Sequence, residues 1–130
     1  MLNLLSMVEI SDEDFEQLIA QAMDAIPEQY ARNMKNVGIT WDKVPSPAQR
    51  EKLRLRGDQS LFGLYEGIPL TQRNNNYNLV LPDKITIFKH PMVDIFGDVE
   101  TLNQQVKKTL WHEVAHHFGL DHKRIEALEQ

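Results

Sequence analysis

Residues 112–122 read HEVAHHFGLDH, and the spacing within this stretch organises the reading of the rest of the chain. His112 and His116 stand four apart, so on a helix they project from one face about one turn from each other. Both imidazoles then reach a single ion at roughly 2.0–2.1 Å. Gly119 falls where the helix has to stop, because glycine accepts the left-handed backbone of a common C-terminal cap. The chain then turns back and brings His122 to the same ion as a third ligand. Three protein ligands leave one zinc position open, which separates a catalytic site from a closed structural one. Glu113, beside the first ligand, is the candidate general base for a metal-activated water. The expected set is His112, His116 and His122 on one Zn2+ per chain, with Glu113 as catalytic residue and no further cofactor.

Upstream of this stretch, Val99, Leu102, Val106, Leu110, Val114 and Phe118 recur at helical spacing, and Asp98 is a candidate cap. One long helix running to Gly119 is predicted, its apolar stripe packed against a sheet. Lys84 to Lys89, KITIFK, alternates charge and bulk in a strand pattern. This strand is read as the edge along which an extended peptide would lie. Leu61 to Leu64 with Tyr65 reads as another strand, broken by Gly67 and Pro69, and Gln72 to Asn78 as a loop or hairpin tip. Val37, Ile39, Trp41 and Val44 suggest a third, ended by Pro45 and Pro47, with Ala48 to Arg56 a surface helix or loop.

At the other end, Ser11 precedes Asp12, Glu13 and Asp14, a capping oxygen followed by acidic residues that suit a helix N-terminus. Phe15, Leu18, Ile19, Ala22, Met23 and Ile26 continue it as one apolar stripe. Pro27 is placed in the first turn of a second helix, EQYARNMKNVG, closed by Gly38. The predicted architecture is a single α+β domain over residues 1–130. A small mixed sheet packs on N-terminal helices and a long C-terminal active-site helix, and residues 1–6 form a loosely ordered extension.

The 130 residues contain no cysteine, which removes disulfides and thiolate metal sites and suits a cytoplasmic location. Net charge is −5 without a basic run, so no nucleic-acid partner is expected. MLNLLSMVEIS lacks the features of a signal peptide, and no stretch is long enough to span a bilayer.

Other polar residues near these elements are weighed individually. His117 projects toward the Val106 and Leu110 stripe, away from His112 and His116, and is read as a buried or hydrogen-bonded structural histidine. Asp121 orients a ligand ring or serves as a turn residue, with neither role preferred. His90, at the end of KITIFK, is either an oxyanion donor at the cleft or, by preference, a strand-end polar group. Tyr65 and Arg73 are candidate substrate contacts set against sheet packing and loop solvation.

The segments MVEISDEDFEQLIAQAMDAIP, LFGLYEGIPLTQR, LPDKITIFKHP and HEVAHHFGLDH together resemble the small bacterial minimal-metalloprotease-like, zincin-like family of predicted peptidases. The resemblance covers nearly the whole chain. It implies a compact zincin core with His112 and His116 as ligands, Glu113 as base and position 122 as third ligand. The terminal string also resembles the metzincin consensus, but only eight residues follow His122, so the downstream methionine turn of that clan is not expected.

The expected activity is hydrolysis of a peptide or an unfolded protein by a zinc-activated water, with oligomeric state left open. Two alternatives are carried beside it. One is a zinc-binding regulatory or interaction domain without catalysis. The other is a zinc-dependent endoribonuclease of the ribosomal-RNA-maturation type, whose motif shares the histidine spacing but has Gly where this chain has Glu113.

Overall fold

The Ser11 hydroxyl accepts the Asp14 N–H at 3.1 Å, and Asp12, Glu13 and Asp14 place negative charge at the positive end of the helix dipole. In the computed structural model, which describes residues 10–34, 36–54, 61–68, 83–120, 123–124 and 127, helix α1 accordingly runs over Asp12–Asp24. The extension expected at 1–6 and the loop at 72–78 lie outside the described residues.

The second helix is much shorter than its sequence suggested. Only Glu28–Ala31 forms α2, with Pro27 at the cap position. Asn36 takes a left-handed φ of 58°, and the next residue already belongs to strand β1, Val37–Asp42. Gly38 is therefore a strand residue and closes no helix. The alternating half-burial of Val37, Ile39 and Trp41 decides the matter, since only a two-residue period brings all three to one face.

Ser46 and Gln49 form a reciprocal capping box that starts α3, Pro47–Lys52. Gln49 Nε2 then donates to Glu66 Oε1 at 3.2 Å, tying α3 to the end of strand β2, Gly63–Glu66. Strand β3 covers Asp83–Phe88. It pairs parallel with β1, Ile39 opposite Ile85 and Trp41 opposite Ile87, and antiparallel with β2, Tyr65 opposite Ile85 and Gly63 opposite Ile87.

The sheet order β1-β3-β2 corrects the reading of KITIFK as an edge strand. β3 is the central strand, and among its residues only Lys84 is exposed. Lys89, just past the strand, is buried as well. Its ammonium donates to Asp12 Oδ1 at 2.8 Å and lies 5.9 Å from the centre of the Trp41 ring. Lys89 in fact opens α4, Lys89–Ile95, which was not anticipated because Pro91 read as a breaker. Proline in the first turn of a helix blocks no intrahelical bond.

The last element is α5, Val99–His117. Its buried stripe of Leu102, Val106, Leu110 and Val114 meets Phe15, Leu18, Ile19 and Ala22 of α1 and the β3 residues Ile85 and Ile87 in one core. Phe15 packs edge-on to Trp41 at 5.7 Å between centroids, which joins α1 to β1. The architecture is the expected α+β domain, a small mixed sheet against a long C-terminal helix. No helix among the described residues is long and apolar enough to cross a membrane.

Candidate metal centre

α5 positions the site, and both of its ends are fixed by local chemistry. At its start Asp98 Oδ1 accepts the Thr101 N–H at 2.7 Å and Oδ2 the Thr101 hydroxyl at 2.9 Å. The backbone bond from Thr101, reinforced by the hydroxyl, holds the Asp98 carboxyl below its usual range. At its end Gly119 takes φ 73°, its N–H donates to His116 O at 3.0 Å and the Leu120 N–H to Ala115 O at 3.0 Å. That pair of reverse bonds satisfies carbonyls the helix would otherwise leave open, and it needs the left-handed residue at 119.

Between these ends, the His112 and His116 rings lie 4.7 Å apart, centroid to centroid, at an interplanar angle of 67°. Both are half-buried, and Glu113 beside them is buried. The Glu113 carboxylate sits 3.2 Å from His116, Oε1 to Nδ1, and its hydrogen bond is the main reason the His116 imidazole titrates above its ordinary value. Partial burial opposes the shift without cancelling it. One potential ligand atom from each of His112, Glu113 and His116 lies within 4.8 Å of the others. Imidazole nitrogens are donors suited to zinc, so His112 and His116 fit such an ion, with the Glu113 carboxylate beside them.

Strand β2 sets the limit of the site on one side. A Cβ built on Gly63 would lie 2.7 Å from Thr109 Cγ2 and 3.3 Å from Glu113 Cγ. Only a glycine therefore lets the strand backbone come this close to the Glu113 turn of α5. The sequence held no sign of this, because Gly63 and Glu113 lie fifty residues apart and meet only through β2–α5 packing.

His117 is fully buried, as its helical position predicted, and its Nδ1 lies 2.9 Å from Asp83 Oδ2. Tyr65 turns to the same oxygen, donating its phenol O–H at 2.5 Å. Asp83 is a second residue that the sequence did not single out. A buried histidine demands a polar partner, but nothing in the chain says which acid supplies it. His90 is exposed on α4, its backbone N–H donating to Lys43 O and its ring near enough to Asp12 to contribute to that carboxyl's lowered pKa. It is an exposed polar residue two positions past the end of β3. His122, Asp121 and Arg73 lie outside the described residues.

The model of a zincin-like metallopeptidase family matches residues 34–130. Among solved structures, a conserved hypothetical protein from Thermo thermophilus superposes with a TM-score of 0.56 over 84% of this chain and 94% of that one, at 19% identity. That likeness is one of fold. No curated protein matches the sequence.

Proposed function

We propose, on the premise that this chain belongs to the zincin-like metallopeptidase family, that it hydrolyses peptide bonds with a zinc ion held by His112, His116 and His122. The observation that carries the reading is the buried Glu113 carboxylate close beside the two histidines of one helical face. When bound, zinc supplies Lewis acidity that polarises an oxygen ligand. The chain's own residues supply the rest.

Glu113 is the proton carrier. Its carboxylate takes the proton of the attacking water and returns it to the departing amine nitrogen, so its charge is restored at the end of each cycle. Burial raises the effective strength of that exchange, and the Gly63 backbone beside the side chain restricts where the carboxylate can swing. β2 takes over the role first given to KITIFK. Among the described residues β3 is its only strand neighbour, so its outer backbone groups face the side from which an extended peptide would pair.

The test compares the wild-type protein with Glu113→Gln on an unfolded-protein or peptide library. About one zinc per chain is expected in both by elemental analysis, with cleavage only in the wild type. Equal cleavage by the two would remove Glu113 from the mechanism. A His112→Ala, His116→Ala double variant that kept its zinc would remove the metal site from α5.

A further inference from the structure

Tyr65, Asp83 and His117 come from three different elements, β2, β3 and α5, and meet at one carboxylate oxygen. His117 Nδ1 reaches Asp83 Oδ2 at 2.9 Å and the Tyr65 phenol reaches it at 2.5 Å. The Tyr65 phenol donates to that oxygen, and the His117 tautomer with its proton on Nδ1 donates to it as well. Tyr65 Oη and His117 Nδ1 are themselves 3.4 Å apart, so the three side chains form one cluster. Asp83 is 2% exposed and His117 fully buried. Gly67 packs closely against one side of the carboxylate, since a Cβ there would fall 2.5 Å from it.

These contacts join two parts of the site that the backbone ladder does not connect. Tyr65 stands on the strand whose Gly63 lies against Glu113, and His117 is the residue after His116, in the turn that Gly119 closes. We propose that the Asp83 carboxylate is a positioning group, holding β2 and the final turn of α5 in fixed register and so fixing the His116 turn relative to the peptide-binding strand. Tyr65 and His117 act through it and touch no substrate. The inference rests on the proposed peptidase reading for the purpose of the register, but the register itself is measurable without activity.

The experiment follows amide hydrogen exchange residue by residue in the full chain, for wild type, Tyr65→Phe and Asp83→Asn. In Tyr65→Phe, exchange at residues 64–66 and at 115–119 is expected to quicken together by about tenfold, while residues 15–22 of α1 keep their wild-type rates. A change confined to β2, or one uniform over the whole chain, would overturn the proposal, the second because it marks ordinary loss of stability. Cobalt(II) titration gives an independent reading. Asp83→Asn should raise the half-saturation concentration about tenfold and alter the visible absorption of the bound ion, because a released α5 end no longer holds His116 in its place beside His112. An unchanged titration in a folded Asp83→Asn protein would also overturn it. A wild-type protein that takes up no cobalt would sink the metallopeptidase reading instead, and the exchange measurement would then decide the register alone. Should Asp83→Asn not fold, Tyr65→Phe, which removes a single hydroxyl, carries both measurements.

Discussion

Glu113 Oε1 and His116 Nδ1 lie 3.2 Å apart, an acid and a base one helical turn from each other on the face of α5 that carries the candidate site. The contact favours the protonated imidazole, and with it a competition between the proton and any metal that needs the neutral ring.

In the protein stripped of metal, His116 is expected to titrate above 6.5, and Glu113→Gln to bring it back toward that value. The sign is that of a raised pKa. The contact's contribution to stability is fully present below 6.5 and disappears as pH rises through the higher folded value. Imidazole NMR titration of the two proteins measures this directly, and identical His116 curves would show that the carboxylate has no hold on the ring.

The opposite sign holds at Asp12, whose carboxyl is lowered from 3.8 chiefly by the hydrogen bond from Lys89. Its contribution is present above pH 3.8 and fades as pH falls through the depressed folded value. Asp12→Asn should therefore be the less stable protein at neutral pH, with the gap to wild type closing in acid. Urea unfolding at a series of pH values checks it, and a gap independent of pH would assign the loss to packing around Lys89.

Gly63→Ala should destabilise the chain by about 1–3 kcal/mol, the usual cost of overpacking, because its Cβ would stand 2.7 Å from Thr109 Cγ2. Adding Thr109→Ser, which removes that methyl, should recover part of the loss. A double-mutant cycle in denaturant reads the coupling, and strict additivity would place the strain elsewhere.

Phe15→Ala is expected to cost about 3–5 kcal/mol, since the ring is fully buried between α1, α5 and Trp41. Thermal or denaturant unfolding provides the number. A loss below about 1 kcal/mol would mean that α1 is only loosely held to the rest.

Much of this was legible in the sequence because it is local. The Ser11 and Asp98 caps, the α1 and α5 stripes, the left-handed Gly119 and the inward-facing His117 are all set by residues within a few positions of each other. What could not be read depends on partners far along the chain. KITIFK reads as an edge strand, but its pairing with β1 on one side and β2 on the other, through residues more than forty positions upstream and about twenty upstream, makes β3 the centre of the sheet. Tyr65 looked available to a substrate until Asp83 drew its hydroxyl inward. α4 was hidden by Pro91, whose effect depends wholly on whether it stands in a first turn or an interior one.

The family match begins at residue 34, after α1 and α2 have ended. Yet Phe15, Leu18, Ile19 and Ala22 of α1 cover the same α5 stripe that holds the His112 turn in place. The portion of the chain that matches the family and the portion that keeps α5 dry on its inner side are thus different lengths. The boundary that evolution marks by sequence falls inside the boundary that water would find.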